Sequence, residues 1–142
     1  MDLSTSVRYC LENYANFNGR AARPEFWWFY LAYAIVVGVP YLLGSIFVAI
    51  GTSTSYYGEM SYGPAAIFGW LLYILAGLVS LALIVPMLAV GSRRLHDTGK
   101  SGWFQVLLFV PCVNFIGAII LIIFWATTGT PGANSYGEAA TA

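Results

Sequence analysis

The chain has 142 residues, of which 59% are hydrophobic, 17% aromatic and only 8% charged; six basic and six acidic residues give a formal net charge of zero. A soluble domain carries about a quarter charged residues, so this composition indicates a single domain whose solvent is mostly lipid. The zero net charge argues against nucleic-acid binding. The two cysteines, Cys10 and Cys112, lie far apart in the sequence and indicate neither a disulfide framework nor a metal or other cofactor site.

The first predicted element is an amphipathic helix over residues 3–18. Its apolar residues recur at steps of three and four, and its polar residues fall on the other side. Three consecutive hydroxyl residues, Ser4 to Ser6, are candidate N-caps. The helix either packs against the rest of the protein or lies in the membrane interface. The interfacial position is favoured because little soluble domain remains for the helix to pack against.

The first membrane span is predicted at residues 26–50, within a stretch from 26 to 58 that contains no charged residue. About 20 consecutive apolar residues suffice to cross a bilayer. Pro24 fits the first position of this helix, where a missing backbone N–H does no harm. Glu25 fits the first turn, where its charge faces the positive end of the helix dipole.

A loop and a second span follow. Residues 51–64 are rich in Gly, Ser, Thr and Tyr, and Glu59 is the only charged residue among them. This composition predicts a loop at the opposite interface. The second span is predicted at residues 66–91. Pro86 interrupts it and is expected to kink the helix, because proline removes one backbone hydrogen bond.

The third apolar segment, residues 103–128, allows two interpretations. As one helix it would be about 39 Å long, whereas two full spans need about 40 residues and do not fit. One span kinked at Pro111 is favoured, which gives three spans in all. The alternative is a re-entrant hairpin that turns at residues 111–114. The remaining residues, 129–142, are predicted to form a small polar tail.

The basic residues give the predicted orientation. All six lie on one side of a three-span protein: Arg8, Arg20, Arg23, Arg93, Arg94 and Lys100. Because cytoplasmic loops carry the excess of Lys and Arg, the N-terminus and the central loop are expected in the cytoplasm. The loop that contains Glu59 and the tail are then expected outside. A hairpin in the third segment would instead return the tail to the cytoplasm.

The densest run of charge lies between the second and third apolar segments. His96 and Asp97 there could act as a general base and its orienting carboxylate. The favoured interpretation is a turn, in which Asp97 or Thr98 caps the next helix and Gly99 and Gly102 allow a tight backbone. The predicted structural residues of the motif are Glu25, His96, Asp97, Gly99, Gly102 and Trp103. No catalytic role is assigned to them.

The basic residues that flank the spans also allow two interpretations. Such residues usually fix the topology and touch anionic lipid headgroups, at about 1 kcal/mol for each residue near the surface. A sharper hypothesis is that the cytoplasmic ends of the first two spans meet and that five side chains converge on one phosphate-bearing headgroup or ligand. These are Arg20, Arg23, Arg93, Arg94 and Lys100.

Glu25 is predicted to pair with Arg93 or Arg94. Consecutive spans joined by a short loop usually pack as antiparallel neighbours, so these residues should lie at the same depth. A partly dehydrated carboxylate is costly without a partner, and an arginine suits such a site because it can bind both oxygens. The alternative is that Glu25 only complements the helix dipole, at about 0.3–1 kcal/mol.

Three stretches, residues 16–27, 93–103 and 129–137, resemble a known family in their order and spacing. They are similar to the small bacterial inner-membrane proteins grouped as domain of unknown function 805. The resemblance runs from about residue 14 to 137, and its most specific part is Arg-Arg-Leu-His-Asp-Thr at 93–98. It implies the bacterial cytoplasmic membrane and a helical, multi-span architecture, but no reaction. The tail departs from the family because it lacks an acidic, proline-rich continuation after residue 137.

Together these observations predict an all-α integral membrane protein with an N-terminal amphipathic helix. Its leading predicted function is a non-enzymatic accessory, assembly or lipid-contact role through the cytoplasmic basic motif. The expected partners are membrane lipids, anionic ones among them, and either a second copy of the chain or a larger membrane complex. The alternatives are a small transporter or channel component that acts as an oligomer, and a lipid-headgroup enzyme that uses His96 and Asp97. A continuous polar path would favour the transporter, and a cleft holding His96 and Asp97 would favour the enzyme.

Overall fold

Helices dominate the computed structural model, which describes residues 1–140. The elements in chain order are α1 (Leu3–Glu12), α2 (Arg23–Gly51), β1 (Thr52–Thr54), β2 (Met60–Tyr62), α3 (Pro64–Asp97), a 3₁₀ helix (Gly102–Phe109) and α4 (Asn114–Ala126). They form two compact units, an end unit of residues 1–31 together with 84 onwards, and a middle unit of residues 32–83. Helices α2 and α3 contribute to both units.

Helices α2 and α3 are long and apolar enough to cross a membrane. They have 29 and 34 residues, with mean hydropathies of 2.2 and 2.5 over their most apolar windows. At 1.5 Å per residue, 29 residues extend about 44 Å, which exceeds the roughly 30 Å hydrocarbon core of a bilayer. Only 11% of each window is buried, whereas the core helix of a soluble protein would be mostly buried. The apolar side chains of both helices are therefore left for another apolar environment to cover.

The middle unit contains close contacts between α2 and α3 and a short β-hairpin. The Tyr33 and Ser80 hydroxyls lie 2.9 Å apart, and the rings of Phe47 and Phe68 meet edge to face at 4.9 Å. Strands β1 and β2 pair antiparallel, with Thr52 opposite Tyr62. Residues 51–64, predicted as a loop, thus contain this hairpin, and the described part of the chain is mostly helical with one two-stranded sheet instead of all-α.

Helix α1 is shorter than the 3–18 helix predicted. It begins after Asp2, whose carboxylate accepts the backbone N–H of Thr5 at 2.8 Å, so the cap is this aspartate and not one of the hydroxyl residues that follow. It ends at Glu12, and the next residue, Asn13, caps it: the Asn13 side-chain amide and backbone N–H both donate to the Tyr9 carbonyl at 3.0 Å. Asparagine side chains often compete with the helix for such groups, which explains the early end.

The third apolar segment is a helical hairpin, so the favoured interpretation of 103–128 as one kinked span was wrong. Pro111 lies in the turn between the 3₁₀ helix and α4, and Cys112 next to it has a left-handed φ of 69°. The two arms pack closely, because a Cβ added at Gly117 would lie 2.7 Å from the Cβ of Leu107. Within residues 1–140 there are thus two candidate spans and one shorter apolar helix.

A hydrophobic core holds the end unit together. Its members are Cys10, Ala21, Phe26, Phe29, Val90, Leu95, Leu121 and Trp125. The rings of Phe26 and Trp125 lie 4.8 Å apart, and the Trp125 indole donates to the Gly91 carbonyl at 3.1 Å. Burying each large apolar side chain contributes about 1.5–3 kcal/mol. This packing brings the start of α2, the end of α3 and the end of α4 to one place.

Candidate functional site

Two sets of buried charges form what we call the ionic cluster: Asp97 with Arg20 and Arg94, and Glu25 with Arg93. The guanidinium of Arg20 contacts one Asp97 oxygen at 2.8 Å, and that of Arg94 contacts the other. The side chains of Arg20, Arg94 and Asp97 are 2%, 0% and 8% exposed. Arg94 and Asp97 meet because residues three apart lie on one face of α3. Arg20 reaches them from the segment before α2.

The Glu25–Arg93 pair predicted from the sequence is present in the structure. A guanidinium nitrogen of Arg93 donates to the Glu25 carboxylate at 2.6 Å, and both side chains are at most 5% exposed. The Arg93 guanidinium also lies over the Tyr9 ring at 5.6 Å. Its Nε and Nη2 are buried without a hydrogen-bond partner among the described residues. The pair joins the first turn of α2 to the last turns of α3, under helix α1.

Cys10 covers this pair from α1. Its thiol lies 4.0 Å from the Glu25 carboxylate. Burial raises the pKa of the Cys10 thiol to about 12, and the negative charge of Glu25 adds to the rise. The thiol is therefore protonated at neutral pH, and it packs as a small apolar group with a weak donor. A thiolate nucleophile at this position is not supported.

Arginines of the cluster also bind the backbone at the end of α4 and just after it. Arg94 donates to the carbonyls of Trp125, at 2.9 Å, and Thr127. Arg20 donates to the Thr130 carbonyl at 2.6 Å. The last carbonyls of a helix lack partners within it and form its negative end, so a guanidinium is well suited to them. These bonds place the start of the tail beside the start of α2 and the end of α3.

The tail also binds the end of α3 directly. The backbone N–H of Thr130 donates to the Asp97 carbonyl at 2.8 Å, and the side-chain amide of Asn134 donates to the His96 carbonyl at 2.9 Å. Any side chain at Gly129 would overlap the Asp97 carboxylate. The sequence analysis assigned no role to Gly129, Thr130 or Asn134, although all three lie within the stretch 129–137 that resembles the family.

The side chains of His96 and Asp97 bond to different groups. The His96 Nδ1 lies 3.1 Å from the Gly19 carbonyl, and its ring stacks on Tyr136 with centroids 4.0 Å apart. A carbonyl can only accept, so Nδ1 carries the proton and Nε2 keeps its lone pair. The capping role expected of Asp97 was wrong, because Ser101 caps the 3₁₀ helix by accepting the Trp103 N–H at 3.3 Å.

The predicted glycine and tryptophan positions follow the geometry of the turn. Gly99 has a φ of +73°, which favours glycine. A Cβ at Gly102 would lie 2.5 Å from the Ser92 hydroxyl, so the chain passes very close to α3 there. Trp103 is 81% exposed. The tight backbone expected at both glycines is therefore present.

The five basic residues expected to converge on an anion fall into two groups. Arg20, Arg93 and Arg94 are buried and bound within the chain, whereas Arg23 is exposed and donates to the Thr128 hydroxyl at 2.9 Å. Lys100 is half-buried, with its ammonium 4.6 Å from the centre of the Phe124 ring. Among the described residues neither Arg23 nor Lys100 has a carboxylate within ion-pair distance, so both keep an unneutralised charge.

A shallow polar cavity of about 230 Å³ lies beside Arg20 and Arg23. Its other lining residues are Ala22, Pro24, Asp97, Gly129, Thr130, Ala139 and Ala140. Two arginines and one aspartate give this lining a net charge of +1. Within residues 1–140, no group of three His, Cys, Asp or Glu residues is arranged to hold a metal ion. The arrangement can bind an anion at its edge, but it does not assemble a nucleophile with a base.

Comparison with known proteins identifies relatives over most of the chain. A family model described as "Protein of unknown function (DUF805)" matches residues 14–138. Inner membrane protein YhaI of Escherichia coli (strain K12) is 41% identical over 128 residues, which cover 90% of this chain and 88% of the relative. Inner membrane protein YhaH of the same strain is 35% identical over 127 residues, 89% of this chain and 88% of the relative. No solved structure matches the chain.

A double-mutant cycle measures the coupling between Glu25 and Arg93. Glu25→Gln and Arg93→Gln should each lower the free energy of unfolding by about 3–5 kcal/mol, because each leaves one buried charge unpaired. The double variant should lose less than the sum by about 1 kcal/mol or more. Unfolding of the purified protein in detergent provides the measurement.

The control cycle uses Arg8→Gln and Glu12→Gln, an ion pair at 2.8 Å whose side chains are 81% and 56% exposed. Its coupling should be small because water screens the pair. Additive effects of Glu25→Gln and Arg93→Gln would show that the buried contact contributes no coupling.

Proposed function

Since the chain belongs to the DUF805 family of proteins of unknown function, we propose that it is a multi-pass inner-membrane protein with a non-enzymatic accessory role. In this proposal the ionic cluster assembles a cytoplasmic face, and that face contacts anionic lipid headgroups. Membership confirms the resemblance found in the sequence. The names of YhaI and YhaH support the inner membrane as the location, and the exposed apolar side chains of α2 and α3 need a lipid environment.

The observation that supports the non-enzymatic role is that the charged side chains of the ionic cluster are already paired with one another. Arg20 and Arg94 share Asp97, and Arg93 is bound to Glu25. A catalytic acid or base needs a substrate within hydrogen-bond reach. Here the carboxylates that could serve are already occupied by arginines. The motif is better explained as a set of contacts that joins four segments of the chain: the segment before α2, the start of α2, the end of α3, and the end of α4 with the tail.

The orientation in this proposal follows from the basic residues and the hairpin. All six Lys and Arg residues lie in the end unit, and Glu59 is the only charged residue between 26 and 92. The rule that basic residues stay in the cytoplasm puts the N-terminus, the ionic cluster and the start of the 3₁₀ helix there. The tail binds Arg20 and Arg94 and belongs on the same side. The β-hairpin then faces the periplasm.

Lipid contact is proposed for Arg23 and Lys100, which have no acidic partner among the described residues. Arg23 stands at the first turn of α2, where the backbone N–H groups favour a negative charge. It also borders the shallow cavity of net charge +1. The Lys100 ammonium lies 4.6 Å from the centre of the Phe124 ring, a cation–π contact at the end of a long side chain that can reach a membrane surface. Both positions suit the phosphate of an anionic lipid.

Labelling of single cysteines tests the orientation. In a background with Cys10→Ala and Cys112→Ala, we expect an impermeant thiol reagent to label Ser55→Cys in intact cells. Ser101→Cys and Ala133→Cys should be labelled only after lysis, because the hairpin places both on the cytoplasmic side. Labelling of Ala133→Cys from outside would instead mean that the third segment crosses the membrane.

Binding to anionic lipid tests the proposed contact. The protein in nanodiscs that contain phosphatidylglycerol should resist thermal unfolding better than in nanodiscs of phosphatidylcholine alone. Arg23→Gln and Lys100→Gln should each reduce the affinity for phosphatidylglycerol by about fivefold, at about 1 kcal/mol for each basic residue. Arg8→Gln, an exposed residue paired with Glu12, is the control and should change little. Equal binding to both lipids would overturn the proposed contact.

A further inference from the structure

A second, larger cavity of about 470 Å³ lies between the 3₁₀ helix and the end of α3, apart from the polar cavity beside Arg23. Its volume falls in the range of about 300–1,000 Å³ that is usual for small-molecule sites. Its lining residues are Phe17, Asn18, Leu88, Ser92, His96, Ser101, Gly102, Trp103, Gln105, Val106, Phe109 and Tyr136. These come from the segment before α2, from α3, from the 3₁₀ helix and from the tail, all in the end unit.

One part of the lining offers both hydrogen-bond donors and hydrogen-bond acceptors. His96 is held with its proton on Nδ1 by the Gly19 carbonyl, so its available ring nitrogen, Nε2, is an acceptor. The Ser101 oxygen accepts the Trp103 N–H, which leaves the hydroxyl proton free to be donated. Asn18 adds an amide that can donate and accept. A ligand head would therefore need one donor for His96 and an acceptor for Ser101 or Asn18.

The rest of the lining is apolar and accessible from outside. Val106, Phe109 and Trp103 are 45%, 60% and 81% exposed, and Leu88 contributes a further apolar side chain. The polar side chain of Gln105 leaves this part of the lining apolar, because its amide donates inward to the Ser92 hydroxyl at 2.7 Å and to the Leu88 carbonyl at 3.0 Å. Hydrocarbon chains could therefore leave the cavity along this side, which belongs to an apolar hairpin.

The lack of charged residues in the lining restricts which ligand head group the cavity can bind. None of the lining residues is Lys, Arg, Asp or Glu. The nearby arginines cannot serve instead, since Arg20 and Arg94 are bound to Asp97 and Arg93 to Glu25. An anionic head would be taken out of water without a counter-charge, which is strongly unfavourable. An uncharged polar head meets no such penalty.

We propose that this cavity binds a neutral glycerolipid with a free hydroxyl, a diacylglycerol. Its hydroxyl donates to Nε2 of His96, an ester carbonyl accepts from Ser101 or Asn18, and its acyl chains lie along Val106 and Phe109. The oxidised head of an isoprenoid quinone would match His96 poorly, because it offers only acceptors. The inference goes beyond the anionic contact at Arg23 and Lys100, and it involves neither residue.

Competition between lipids that share acyl chains tests the choice of head on the wild-type protein. We expect native mass spectrometry of the detergent-purified protein to show dioleoylglycerol bound at one site. Dioleoylphosphatidic acid, which differs by the charged phosphate, should bind this site at least about tenfold more weakly, a difference of about 1.4 kcal/mol. Displacement of bound dioleoylglycerol by an equal concentration of phosphatidic acid would overturn the proposal, and so would its displacement by ubiquinone at equal concentration.

Variants test the location of the site. Val106→Trp should fill the cavity and reduce dioleoylglycerol binding at least about tenfold. Val39→Trp is the matched control, because Val39 is 47% exposed and does not line the cavity, and it should bind as the wild type does. His96→Phe keeps a ring against Tyr136 but removes the acceptor, and it should weaken binding about fivefold to tenfold, the value of one hydrogen bond.

These variants separate the two proposals. If Val106→Trp does not fold, His96→Phe and the lipid competition still decide the question. Unchanged dioleoylglycerol binding in both cavity variants would show that the lipid binds elsewhere, and the proposal would be wrong. Arg23→Gln and Lys100→Gln should leave dioleoylglycerol binding unchanged. The anionic contact and the neutral-lipid site can therefore fail independently.

Discussion

A single carboxylate, that of Asp97, forms ion pairs with two buried arginines, Arg20 and Arg94, and the end unit depends on these contacts. An unpaired guanidinium with no exposed surface would be strongly destabilising. Arg94 has none, so its position requires Asp97 on the next turn of α3 and the free carbonyls at the end of α4. Arg20, in the segment before α2, is also buried and needs the Asp97 carboxylate as its partner. The backbone therefore has to bring these three places together for the charges to be tolerated at all.

The hairpin of the third apolar segment follows from this constraint. Arg94 binds the carbonyls of Trp125 and Thr127, while the other arm of the hairpin begins at Gly102, pressed against Ser92. Both ends of the segment are thus fixed at the end of α3, and the chain between them has to turn back. The cavity beside His96 has no charged lining residue, since Arg20 and Arg94 bind Asp97 and the chain at the end of α4, and Arg93 binds Glu25.

The sequence predicted the parts of the fold that depend on composition and local periodicity. Uncharged apolar runs gave the two long helices, and the cost of a dehydrated carboxylate led from Glu25 to Arg93. The turn at Cys112 was left as an alternative, because a left-handed residue beside Pro111 produces no periodic signal. The contacts of Asp97 with Arg20 and with Gly129 join residues more than 30 positions apart, and neither charge nor spacing along the chain reveals them.

The most direct test of the central claim is amide hydrogen exchange of the Asp97→Asn variant in detergent, compared with the wild type. Two amides report on the cluster: that of Ala21, bound to the Arg93 carbonyl, and that of Thr130, bound to the Asp97 carbonyl. The account predicts that both lose protection together in Asp97→Asn, while amides of the middle unit keep theirs. Unchanged exchange at Ala21 and Thr130 would contradict it.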